Sequence, residues 1–360
     1  MNNPKIHWRQ KWRATELGPY EEWQQSEGIP RITGFFIDDL TKVPVEPWKR
    51  MGGLGTFINL DGGGGAADSY VCEIPPGTSL KPQRHLFEET ILILQGRGAT
   101  TIWREGSPTQ TFEWQEGSLF SPPINTWFQL FNGQGDQPVR YWSVTTAPMV
   151  FSFFRNRDFI FNTPFDFTDR YSGELDFFSA KGESYSSRVW ETNFVPDVYN
   201  FKLQPWGERG AGGSNINFEV ANNTMRPHIS QFPVGTYKKA HRHGPGTHVL
   251  ILNGIGYSLL WREGKPMTRV NWHKNSVFIP PGQWFHQHFN SGGEPARYYA
   301  VGWGGRRFSV IDDGIADVSV KEDGGTQIEY TDESPEIMGI FEAELAKSGL
   351  KPKTLDAWWK

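Results

Sequence analysis

The sequence carries one unit twice. Trp103-Arg104-Glu105-Gly106 recurs as Trp261-Arg262-Glu263-Gly264, a shift of 158 residues. The same shift pairs Pro47-Trp48 with Pro205-Trp206, Gly77-Thr78 with Gly235-Thr236 and Arg84-His85 with Arg242-His243. It also pairs Leu92-Ile93-Leu94 with Leu250-Ile251-Leu252, Pro122-Pro123 with Pro280-Pro281 and Phe131-Asn132 with Phe289-Asn290. The register holds without a gap from about Phe36/Phe194 to Asn132/Asn290. One residue is then lost, and Arg140-Tyr141 answers Arg297-Tyr298. Chance does not hold one register over such a span, whereas an internal duplication does. Whatever one copy folds into, the other must fold into as well.

Each copy reads as strands. Thr90–Trp103 and His248–Trp261 are apolar, β-branched runs broken by Gly-x-Gly, the pattern of two paired strands around a tight turn. Ser118–Asn132 and Ser276–Asn290 read as a strand, a Pro-Pro corner and a second strand, since proline fits where no ladder hydrogen bond is donated. The 40 glycines, 25 prolines and 53 aromatic residues (16 Trp, 26 Phe, 11 Tyr) agree with many short strands around aromatic cores. The expectation is an all-β chain of two tandem antiparallel barrels with short peripheral helices. Its divisions fall at 1–32 (an irregular arm), 33–150, 151–190 (a Phe-rich connector with buried anchors), 191–312 and 313–360. One helix is expected near 334–348, with Ser334-Pro335-Glu336 as its start, Ile337, Ile340, Phe341 and Leu345 at helical spacing, and Gly349 as its stop.

Composition excludes several classes. A net charge of −4 gives no nucleic-acid footprint, and the single cysteine, Cys72, allows no internal disulfide and no cysteine-based zinc site. No signal core or apolar run long enough to span a membrane is present, so a cytoplasmic protein is expected.

The chemistry gathers in the second copy. Of nine histidines, His241, His243 and His248 fall within eight residues, and His286 and His288 follow in Trp284-Phe-His-Gln-His-Phe-Asn290. Histidines two apart on a strand point to the same side, and neutral imidazole is the commonest ligand for late first-row metals. His241, His243, His248 and His286 are the expected metal ligands, with His288 expected to move protons. Trp284 and Phe285 are expected to wall an apolar pocket. Either Thr247 or His248 faces inward by alternation, and His248 reaches the metal only if the Gly244-Pro245-Gly246 turn shifts the register. In the first copy the matching places hold Gln83, His85, Glu89 and Phe128, too few ligands for a tight site, so that barrel is expected to be metal-free. The Trp-Arg-Glu-Gly motif occurs in both copies and so is expected to be architectural.

Gly235, His241-x-His243 and Gly254 resemble the first cupin motif, and Pro280-x-Gly282 with His286 and Asn290 resembles the second. Two such units resemble a bicupin, and the layout is loosely similar to gentisate- and hydroxynaphthoate-type dioxygenases. The resemblance implies two double-stranded β-helix barrels and a divalent metal. In the second copy it departs in two places: the family's glutamate slot holds Thr247, and Phe285 stands where the second-motif histidine is expected, with His286 one residue later. One transition metal per chain is expected, Fe(II) first, then Mn, Ni, Cu, Co or Zn. An all-imidazole set leaves its charge for a chelating, anionic small molecule to neutralise. The leading expectation is therefore an Fe(II)-dependent dioxygenase. A non-redox lyase, decarboxylase or isomerase stands second and a non-catalytic sensor or accessory protein third. Bicupins often self-associate, so a homo-oligomer is expected, with neither nucleic acid nor membrane as partner.

Overall fold

A computed structural model describes residues 17–186, 188–304 and 315–353. Most of the expected arm, part of the tail and the expected end of the second division at 312 lie outside these residues. Each copy builds a large sheet and a smaller one. The first large sheet runs Arg31–Gly34, Gly53–Leu60, Asp68–Ile74, Val139–Thr145, Glu89–Gln95 and Leu119–Phe120. The second runs Val189–Thr192, Ser214–Glu219, Met225–Phe232, Ala296–Trp303, His248–Asn253 and Val277–Phe278, in the same relative order. The smaller sheets are Trp127–Asn132, Arg97–Trp103 and Gln110–Gln115 in one copy, and Phe285–Asn290, Gly256–Trp261 and Thr268–Trp272 in the other.

The Gly-x-Gly signals have a packing cause. A Cβ on Gly98 would fall 2.0 Å from the Phe131 carbonyl oxygen and 2.5 Å from the Trp114 ring. On Gly256 the same atom would meet Phe289 at 2.0 Å and Trp272 at 2.4 Å. Each indole lies on bare backbone, and its N–H donates to Thr100 Oγ1 (2.9 Å) or Ser258 Oγ (3.0 Å).

The apolar runs are continuous because both strand faces are buried. Ile91 and Ile93 line the first barrel, while Leu92 and Leu94 join a core between the barrels. Val249 and Ile251 line the second barrel, and Leu250 and Leu252 join the same inter-barrel core. Trp142, Val144, Tyr299 and Val301 complete the seam.

The copies also exchange strands. Phe36–Ile37 pairs with Val277–Phe278 of the second sheet, and Phe194–Val195 pairs with Leu119–Phe120 of the first. The chain positions 33 and 191 therefore do not separate the sheets cleanly. Two arginines lock the crossing: Arg140 donates to the Val43 carbonyl (3.0 Å) and Arg297 to the Phe201 carbonyl (2.7 Å).

The tail helix forms over Pro335–Lys347, capped by Ser334, with Ile337, Phe341 and Leu345 buried against Tyr237, Tyr257 and Phe289. Ahead of it, Gly325–Ile328 and Ile315–Ser319 extend the second small sheet beyond Ala240–His241. Three further helices appear where irregular chain was expected: Pro19–Glu27, Ala147–Phe154 and Arg157–Asn162. They form because each packs aromatic residues against the first barrel. Trp23 stacks on Phe151 at 4.8 Å and lies 5.9 Å from Phe161. Among the described residues no helix is long and apolar enough to cross a membrane.

Candidate metal centre

His241 and His286 are direct partners across neighbouring strands, and His243 follows two residues on. The three ligand-capable nitrogens lie within 4.8 Å of one another. Ring centroids stand 4.1 Å (His241–His286), 4.7 Å (His243–His286) and 5.8 Å (His241–His243) apart. Each Nδ1 faces a backbone carbonyl: Lys239 at 3.4 Å, Gly244 at 2.8 Å and Trp284 at 3.2 Å. A carbonyl only accepts, so the proton sits on Nδ1 and the lone pair on Nε2. Burial holds His241 and His286 well below the usual histidine range, with Arg209 and the neighbouring imidazoles adding to the effect. Such rings stay neutral, the form that binds metal. The donor set therefore fits a divalent transition ion.

His248 does not join the three. It shares the strand face of Leu250 and Leu252, so it points into the inter-barrel core, 5.8 Å from the Trp142 ring. Its Nδ1 contacts the Gly246 carbonyl at 2.9 Å, and burial pushes it down to about 4. Thr247 shares parity with Val249 and Ile251 and takes the inward place. The Gly-Pro-Gly turn does not change the parity.

Phe285 is corrected on the same ground. It shares a face with Gln287 and Phe289, opposite the histidines, and packs on Trp261 (5.7 Å) beneath Arg242 (4.8 Å). Trp284 sits against Phe35, 6.5 Å away, beneath the Arg262 guanidinium. His288 lies on the His286 face, its ring 5.5 Å from that of His286. Ser258 Oγ contacts its Nδ1 at 2.7 Å, and burial first, then the Lys238 charge, pushes it down to about 3.

Three residues without a sequence signal complete the interior. Lys238 is fully buried, and its ammonium donates to Ser230 Oγ and to Tyr298 Oη (3.1 Å). The Tyr298 ring is 5.3 Å from that of His288. Arg209 pairs with Asp317 (3.1 Å) and donates to Gln327 (3.0 Å); Gln327 lies on the strand paired with His241, and Asp317 on the next strand out. The duplication could have found two of them, since Lys238 and Arg209 stand where the first copy has Leu80 and Met51. His228 lies 6.2 Å from Tyr298, and burial holds it well below its ordinary range.

The first barrel is closed. Gln83 Nε2 is spent on the Lys81 carbonyl (3.1 Å), and Phe128 and Leu130 are buried. His85 stacks on Phe87 at 3.6 Å, and its two nitrogens face the Phe87 carbonyl (2.8 Å) and Glu89 (3.2 Å). Both ring nitrogens are therefore engaged by neighbours rather than turned toward a common metal position. Burial alone would push Glu89 up, but bonds from His85, Tyr70 (2.6 Å) and Ser143 (2.7 Å) hold it below the usual carboxyl range.

The Trp-Arg-Glu-Gly motif serves both barrels. Its tryptophan stacks on Trp127 or Phe285, and its glutamate reaches Arg84 (3.9 Å) or Arg242 (3.6 Å).

No protein-family model matches the sequence, and no curated protein matches it. The fold is similar to solved oxalate decarboxylases. One, from Lactobacillus farciminis with formate, has a TM-score of 0.52 and 12% identity, over 77% of this chain and 88% of that one. Another, described by its substrate binding mode and a reaction-specificity switch, has 0.50 and 14%, over 76% and 77%. The gentisate-type layout finds no support among these neighbours. Two strand-exchanged tandem barrels, one of them carrying converged imidazoles, give this chain the bicupin fold of those structures.

Proposed function

We propose that the chain is a metal-dependent enzyme of the lyase class that decarboxylates a small, metal-chelating carboxylic acid in its second barrel. One observation carries the reading. Next to His288, whose ring stands 5.5 Å from that of His286, lies a buried ammonium, Lys238, with no carboxylate partner among the described residues. A buried charge without its counter-charge is costly. A substrate carboxylate would supply it.

His241, His243 and His286 would hold the ion; Mn, Fe, Co, Ni, Cu and Zn all suit imidazole donors. When bound, it acts as a Lewis acid on a coordinated carboxylate. Lys238 Nζ binds the second carboxylate of the substrate and fixes its direction. Asp317 already neutralises Arg209, which leaves the charge of Lys238 for the substrate. Decarboxylation replaces a C–C bond with C–H, so one proton must be delivered. Tyr298 Oη, in contact with Lys238 Nζ, is the placed donor, and Lys238 can resupply it. His288, the group expected from sequence, lines the same interior. The buried walls keep bulk water from competing for that proton.

The oxalate decarboxylase neighbours favour this reading over the dioxygenase that led on sequence grounds. The dioxygenase stays second because Thr247 leaves the ligand set without a carboxylate, which suits Fe(II) awaiting an anionic chelate. Metal-loaded protein is offered oxalate and other small diacids while CO₂ release and O₂ uptake are followed together. CO₂ without stoichiometric O₂ consumption supports the lyase. O₂ consumed one-for-one with substrate overturns it in favour of the second reading. The homo-oligomer is retained as a proposal, supported by exposed Phe153 and Phe165 on the connector.

A further inference from the structure

The mouth of the closed barrel holds a second cleft, of about 480 Å³, in the range of small-ligand sites. Lys49, Arg50, Lys81 and Arg84 line it, with Trp127 and Phe161 as its apolar walls. The guanidinium of Arg50 lies 3.9 Å over Phe161, and that of Arg84 lies 4.6 Å over Trp127. Stacked guanidinium planes keep their N–H edges free for oxyanions. Arg84 Nε is buried with no hydrogen-bond partner.

The opposing charge is small. Glu27 in the wall binds Arg50 (2.8 Å), and Glu105 stands 3.9 Å from Arg84 at the exposed rim. Four cations against two anions leave the cleft positive in a chain of net −4.

The second copy shows that this is not a property of the scaffold. There Lys49 and Arg50 become Gly207 and Glu208. Lys239, the counterpart of Lys81, is paired with Glu329 at 2.5 Å. Lys81 instead donates to the Lys49 carbonyl (2.8 Å). The first copy thus has two added cations, and one unneutralised, at the mouth of the barrel whose interior is sealed.

We propose that this cleft binds a small oxyanion of two or more negative charges, a phosphate ester or a polycarboxylate, separately from the metal centre. Lys49 and Lys81 supply the charge, and Arg84 and Arg50 the directed N–H donors.

Calorimetry at low ionic strength tests it with phenyl phosphate, 1,3,5-benzenetricarboxylate and the monoanion acetate, none of which wraps one metal ion. The two multivalent probes distinguish the phosphate from the carboxylate source. At least one should bind and acetate should not. The Lys49→Gln/Lys81→Gln double variant should lose about tenfold or more in affinity, and Arg84→Gln about tenfold. Lys265→Gln, an exposed charge on the other copy, should lose none. Binding must persist in His241→Ala. The proposal is overturned if neither probe binds, if the double variant binds like wild type, if Lys265→Gln costs as much, or if His241→Ala abolishes binding.

Discussion

The two barrels share strand order, indole–hydroxyl bonds and arginine locks, yet one is filled and the other is polar inside. In the first, Phe87, Phe151, Phe161 and Trp23 crowd the space beside His85. In the second, Lys238, Arg209, His228 and His288 occupy the interior with Tyr298 and Ser230. Leu80, Met51, Tyr70, Leu130 and Cys72 are the first-copy counterparts of Lys238, Arg209, His228, His288 and Ser230. The difference teaches that the scaffold tolerates either interior, so its stability does not depend on the metal centre. The buried cations and imidazoles of the second barrel cost desolvation at places where the first copy has mostly apolar side chains, which points to chemistry rather than architecture.

Swapping residues between the copies breaks or sharpens this contrast. The largest effect is expected from His241→Ala or His243→Ala, each of which should empty the purified protein of metal by elemental analysis, while Gln83→Ala keeps it. Gln83→Ala losing metal too would mean the first barrel contributes to a site. Next, Lys238→Leu copies Leu80. It should lower turnover by about a hundredfold, as loss of one buried, charge-assisted contact would, with metal content kept and the melting temperature no lower. Unchanged turnover would remove Lys238 from the substrate site. Phe151→Ala opens the closed barrel. A stability loss of about 3–5 kcal/mol is expected in denaturant titration, with metal content unaffected.

The smallest effect is the pH limb of His248→Thr, which copies Thr90. Burial holds His248 at about 4, against the ordinary 6.5. The unfolded chain takes up that proton as pH falls through 6.5, and the folded chain does not until about 4. Stability from this group is therefore complete above 6.5 and drains toward 4. The variant should show a shallower acid limb over that window and an unchanged metal content. Lost metal would return His248 to the ligand set.

The fold was legible because the duplication and the double-sided apolar runs each have one natural solution. The trio was legible because His241, His243 and His286 sit in recognisable motifs. Parity could have placed His248, but only once Ile251 rather than Leu250 was known to face the barrel. Lys238 and Arg209 gave no signal of their own, because a lone cation in a sequence ordinarily reads as surface. The plug helices were hidden by Glu21, Glu22 and Asp158 diluting their aromatic faces. Phe36–Ile37 and Phe194–Val195 are two-residue strands, too short to carry a period.

Those two short strands bear on how such a chain could arise. Each copy lends its strand to the other and keeps none for itself. A half-length chain with the same segment would find a place for it only on a twin, and the present molecule has the connectivity of such a swapped pair joined end to end. Halves made by cutting the connector and expressed together should re-associate reciprocally, and either half alone should pair with itself.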